Sequence, residues 1–155
     1  MKPLATLAAA GLIALGALAP HSAAADTHSG HAVRDGLVIY HAIIPAAQIR
    51  LYPRHSPEAR MHGGVPKGRD VHHLMVALFD AKTYERIEDA RVAVTVAEAG
   101  LAGKRRRLEP FVANGALTYC NYVRMARRTD YQVRIAVSRP GAEGPTPLAF
   151  AFRPR

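Results

Sequence analysis

Side chains that can hold a transition metal crowd one stretch of this chain. Beyond a leader described below, histidines stand at positions 28, 31, 41, 55, 62, 72 and 73, and none follows. Met61 immediately precedes His62, and Gly63 and Gly64 follow it. Imidazole with thioether suits copper, whereas imidazole alone suits zinc, nickel or iron. The expected core site draws on His55, Met61, His62, His72 and His73, and needs at least three of them to converge. His72 and His73 are consecutive on a strand and point to opposite faces, so only one can face the core unless they sit at a frayed strand entry. His41 shares a face with Ile39 and Ile43, which reads as a histidine packed among aliphatics, with ligation as the alternative.

A second candidate lies near the start. If the leader is cut after Ala25, the new terminus reads Asp26-Thr27-His28. A free amine, two backbone amides and the His28 imidazole can wrap a square-planar Cu(II) or Ni(II). The alternative is an unstructured tail. Cys120 is the only cysteine and sits among alternating strand residues, so it reads as a small buried side chain. There is no Gly-x-Ser-x-Gly, no His-Glu-x-x-His, no Gly-rich phosphate loop and no Cys-x-x-Cys-His. A non-enzymatic protein is therefore expected.

The elements that must position these residues are strands. Asp26 to Gly36 is polar, without an apolar period, and reads as a flexible His-containing arm over 26–36. Leu37 to Ile44 is β-branched and aromatic, and Pro45 stops it. Residues 45–70 hold four prolines and three glycines, a long irregular loop of the kind that carries function. From Val71 the period is two. Val92, Val94 and Val96 alternate with Arg91, Ala93 and Thr95. Leu117, Tyr119, Asn121, Val123 and Met125 alternate with Thr118, Cys120, Tyr122 and Arg124. Tyr131, Val133, Ile135 and Val137 form another row, and Leu148, Phe150 and Phe152 end the domain. Asn114-Gly115 is a hairpin signal. Turns every eight to twelve residues predict an all-β antiparallel sandwich of about seven strands, one domain over 37–155.

Lys2, the apolar run Leu4 to Leu18, Pro20 and Ala23-Ala24-Ala25 have the form of a signal peptide over 1–25. One cysteine permits no intramolecular disulfide, and there is no Asn-x-Ser/Thr site. Both absences favour the bacterial periplasm. The chain carries 21 Lys and Arg against 12 Asp and Glu. An exported protein seldom meets nucleic acid, so no nucleic-acid partner is expected, and the excess charge suits an acidic or membrane-surface partner. Lys104-Arg105-Arg106-Arg107 is the densest patch, read either as a solvated strand or as a docking surface.

Residues 71–140 also resemble the periplasmic metal-binding proteins that accompany bacterial high-affinity iron permeases. The matching pieces are Asp70-Val71-His72; Leu108-Glu109-Pro110-Phe111-Val112; Asn114-Gly115 with Tyr119, Asn121, Val123, Arg124 and Met125; and Asp130-Tyr131-Gln132-Val133-Arg134 leading to Arg139-Pro140. The resemblance implies an immunoglobulin-like sandwich, a copper or iron ion, a homodimer, and a membrane permease or other envelope protein as partner. That family places a methionine near Phe111 and histidines near Thr118 and Ala136. This chain has none of them and keeps only His72 of the ligand set. The reading that follows is a periplasmic accessory protein that binds or delivers copper or iron. Its rival is a metal-free sandwich that recognises a partner through its basic surface.

Export predicts cleavage between Ala25 and Asp26. Intact-mass measurement on periplasmic protein should find a chain beginning at Asp26; a full-length species would contradict the leader.

Overall fold

The computed structural model describes residues 27–155, so the leader and Asp26 lie outside the described residues. The described residues form eight antiparallel strands: β1 (His28–Arg34), β2 (Leu37–Pro45), β3 (Val71–Asp80), β4 (Arg91–Glu98), β5 (Lys104–Ala113), β6 (Ala116–Arg124), β7 (Tyr131–Ser138) and β8 (Thr146–Phe152). Their order is β1-β2-β3-β6-β5-β4-β7-β8. β5 folds this order into two layers. Its Lys104–Leu108 half pairs with β4, and its Glu109–Ala113 half pairs with β6. A strand that changes partner midway is a usual way to turn a corner between packed sheets. Asn121 stitches the corner: its side-chain amide donates to the Arg107 carbonyl at 3.0 Å and its oxygen accepts from the Tyr122 N–H at 2.8 Å.

The all-β sandwich expected from the alternation is present, with one strand more than seven. The extra strand is the segment read as a flexible arm. Residues 28–34 pair with β2 along their whole length, from His28 opposite Ile43 to Arg34 opposite Leu37. Asp35 and Gly36, both at positive φ (47° and 73°), make the two-residue turn that joins them. Asn114 and Gly115 do the same between β5 and β6, at 50° and 74°.

Side chains on the inner faces form the main core: Ile39 and Ile43, Leu74 and Val76, Val92 and Val94, Leu108, Tyr119, and Val133 and Ile135, all essentially out of water. Part of the layer of β1, β2, β3 and β6, where β3 begins and β6 ends, is covered on its outer face as well. The excursion of residues 45–70 lies there, built from two helical turns, α1 (Ala46–Ile49) and α2 (Pro57–Arg60), and a 3-10 turn at Met61–Gly63. Ser56 caps α2 by accepting the Ala59 N–H at 3.2 Å, with Pro57 at its first position. Ile49 and Met61 pack on Cys120, Met75, Ile44 and Phe111; Ala46 packs on Val71 and Tyr122. The excursion is thus a lid that closes a second, smaller core.

Val94 and Ile135 are each 1% exposed. Replacing either with Asp buries an unpaired charge and should destabilise by about 4 kcal/mol or more. Circular dichroism melts check this, and wild-type melting in both variants would disprove the inner-face assignment.

Candidate metal centre

Three donors meet under the lid. His73 leaves β3 on the outer face, Cys120 leaves β6 on the same face, and His62 comes down from the 3-10 turn. One ligand atom from each lies within 4.8 Å of the others. Strand pairing makes the first two neighbours: His73 is opposite Tyr122, and Met75 is opposite Cys120. The lid supplies the third through an unusual backbone. His62 sits at φ 53°, followed by Gly63 at 80° and Gly64 at 104°. A left-handed histidine is uncommon, and only glycine takes such angles freely afterwards. This reversal turns the imidazole back onto the sheet.

Hydrogen bonds fix the His62 ring. Its Nδ1 lies 3.0 Å from Glu109 Oε2, and its Nε2 lies 3.3 Å from Cys120 Sγ. An ionised carboxylate only accepts, so Nδ1 carries the proton and the Cys120 thiol donates to Nε2. A carboxylate behind the distal nitrogen is the usual support for a metal-binding histidine. Glu109 is exposed and His62 nearly buried, so the ring bridges surface and interior.

His73 and Cys120 are 1% and 0% exposed. Burial, reinforced by neighbouring His62, pushes His73 down to about 4. Burial raises the Cys120 thiol to about 12, with Glu109 adding to the rise and a hydrogen bond with Thr118 opposing it. Both groups are therefore neutral near pH 7. Neither ring nitrogen of His73 has a hydrogen-bond partner among the described residues. An unpartnered buried donor or acceptor costs about 1–3 kcal/mol. Tyr122 walls the site, its ring 5.0 Å from that of His73 and 5.8 Å edge-on to that of His62.

These residues fit a transition ion. Nitrogen and sulfur ligands at about 2.0 and 2.3 Å in a tetrahedral shell stand about 3.5 Å apart, close to the 3.3 Å between His62 and Cys120. A ligand set of two imidazoles and a thiol, with the Met61 thioether in the same apolar cluster, is a soft one.

The structure redistributes the residues expected from sequence. His62, His73 and Met61 come together under the lid. His72 does not join them. It points into the main core, 1% exposed, its ring edge-on to Phe152 at 5.9 Å, because adjacent strand residues face opposite ways. His55 is exposed on the turn before α2. His28 is held in β1 rather than in a free tail, stacked on Phe150 with ring centroids 4.9 Å apart. Lys104, Arg105, Arg106 and Arg107 are exposed on β5. The first three line a groove of about 900 Å³ shared with Arg124, Tyr122 and Tyr131. Cys120 is the residue that sequence reasoning passed over. It is buried as expected, yet beside two histidines. The available signal was its face: it alternates out of the core row of β6, so something other than the opposite sheet had to cover it.

No protein-family model matches the chain, and no curated protein matches it in sequence. Solved structures do match. A copper-bound variant of FetP from uropathogenic Escherichia coli strain F11 is 13% identical, with a TM-score of 0.55 over 81% of this chain and 94% of that one. Copper-reconstituted P19 from Campylobacter jejuni is 14% identical, with a TM-score of 0.52 over 81% and 93%. A DUF4426 family protein from Pseudomonas aeruginosa is 15% identical, with a TM-score of 0.59 over 82% and 96%. The distant resemblance read from the sequence thus holds for the fold. The chain is built on the same all-β sandwich as these proteins.

The buried His73 predicts acid sensitivity. An unfolded chain takes up this proton near 6.5, the folded one near 4. The stability that depends on the neutral ring is present above about 6.5 and is lost as pH falls toward 4, by up to about 3 kcal/mol. Melts of wild type and His73→Phe between these pH values check it. The wild type should lose stability more steeply; parallel slopes would contradict the assignment.

Proposed function

We propose that this protein is a periplasmic accessory protein that carries copper at His62, His73 and Cys120. The observation that carries this reading is the convergence of three donors, two of them deeply buried, one of which has no other polar contact for either nitrogen among the described residues. A metal-free module leaves that imidazole unexplained.

Charge favours Cu(I). Binding displaces the Cys120 proton, because the thiolate is the ligand. A thiolate with a monovalent ion is neutral overall, which a buried site tolerates, whereas a divalent ion leaves a net charge to be solvated. The soft donors favour copper over iron as well. The FetP and P19 structures that share the fold hold copper, which supports the choice of metal. The ligand positions differ, because this chain lacks most of the ligands its resemblance implies. Three protein donors leave room for an incoming ligand, as a carrier needs. Glu109 and His62, at the rim, form the side by which the ion enters and leaves. A leader with the form of a signal peptide supports a periplasmic location. The groove beside Lys104, Arg105 and Arg106 is the face for an acidic envelope partner.

Competitive Cu(I) titration tests the site. Cys120→Ser, His73→Ala and His62→Ala should each weaken binding by about a hundredfold. His72→Ala should bind as wild type does. Unchanged affinity in Cys120→Ser would dismiss the site.

A further inference from the structure

A second pair of imidazoles meets on the other face of the same layer. His28 on β1 and His41 on β2 sit diagonally across the pairing, since His28 is opposite Ile43 and Gly30 is opposite His41. Their Nε2 atoms are 3.4 Å apart. That is long for an N–H donating to nitrogen, where about 3.0 Å is usual. It is the spacing of two imidazoles on one tetrahedral ion: with metal–nitrogen bonds of about 2.05 Å, the nitrogens stand about 3.3 Å apart.

The pair is built rather than incidental. A Cβ on Gly30 would stand 3.0 Å from His41 Cε1 and 3.1 Å from its Nε2. Glycine at that position leaves room for the ring to lie across β1 toward His28, and a side chain there would press the ring aside by a few tenths of an ångström. Phe150 stacks on both imidazoles, at centroid distances of 4.2 Å from His41 and 4.9 Å from His28, and Phe152 flanks His28 at 5.6 Å. These contacts hold both rings between the two edge strands, β1 and β8. His41 is 8% exposed, and its Nδ1 has no partner among the described residues. Burial, then His28 and His31, holds His41 below its ordinary value. His28 is half-buried at the seam, within reach of solvent.

We propose that His28 and His41 form a second metal site, for a divalent ion that prefers imidazole, of which Zn²⁺ is the type. Two protein ligands leave two positions for water or for a ligand from another molecule. A bound ion would also clip β1 to the sheet at the seam where β1 meets β8. This site shares no residue with the copper site and does not depend on it.

Co²⁺ and Zn²⁺ are the probes, because a free amino-terminal chelate prefers square-planar Cu(II) and Ni(II). The starting protein is the double variant Cys120→Ser with His73→Ala, which removes the thiolate site. It should still bind one Co²⁺, with weak visible bands and no thiolate charge-transfer band, and Zn²⁺ should raise its melting temperature. Adding His28→Phe keeps a ring on Phe150 and Phe152 and removes the ligand. It should weaken Zn²⁺ binding by about a hundredfold and abolish the melting shift. No binding by the double variant, or unchanged affinity after His28→Phe, would overturn the proposal. The copper reading is judged separately by the thiolate band in wild type, so either site can fail alone.

Discussion

The structure depends on one layer being buried on both faces where β3 begins. β3 alternates like any strand, yet its first four residues, Val71 to Leu74, are all out of water. One side meets the opposite sheet; the other meets the 45–70 lid. That second burial is why His72 and His73, adjacent in sequence and pointing oppositely, are both desolvated. A sheet with one wet face would leave His73 and Cys120 ionisable and hydrated. Under the lid their acid–base properties move in opposite directions, the imidazole down and the thiol up. Each shift keeps its group neutral.

The lid's chemistry follows from its awkward composition. Three prolines, at 53, 57 and 66, interrupt the segment between β2 and β3, so the excursion closes on itself through short turns. Arg50 Nη1 donates to the Pro66 carbonyl at 2.9 Å, tying the early part of the lid to its end. Apolar contacts from Ile49 and Met61 hold it down. His62 then takes a left-handed conformation that most residues avoid. Such strain persists where surrounding contacts fix it, and here Glu109 and Cys120 grip both ring nitrogens.

Local pattern revealed most of the fold and only part of the site. The rows Val92-Val94 and Tyr131-Val133-Ile135-Val137 were legible because period two survives in strands with one polar face. Asn114-Gly115 was legible for its turn chemistry. Asp35-Gly36 carries the same signal, but His28–Arg34 has few β-branched residues and pairs only with β2, so the edge strand resembled a tail. In the site, the His/Met excursion and the opposition of His72 and His73 were visible. Cys120 was not, because it lies 58 residues from His62, and no spacing rule reaches that far. Register decides it: the pairing of β3 with β6 sets Cys120 opposite Met75, one pleat from His73.

The two histidine clusters share a physical signature that separates them from ordinary core histidines. A buried imidazole in a stable core normally gives both nitrogens something to bond. His73 gives neither, and His41 meets only His28 at a distance too long for a good hydrogen bond. Each arrangement costs stability in the protein alone, yet each is held by deliberate packing: the strained lid over one, the Gly30 gap and the Phe150 stack over the other. An ion bound to the folded state alone returns the deficit through linkage, since binding adds RT ln(1 + [L]/Kd) to stability. The buried nitrogens of His73 and the Nδ1 of His41 are therefore positions where a bound ligand would add to stability.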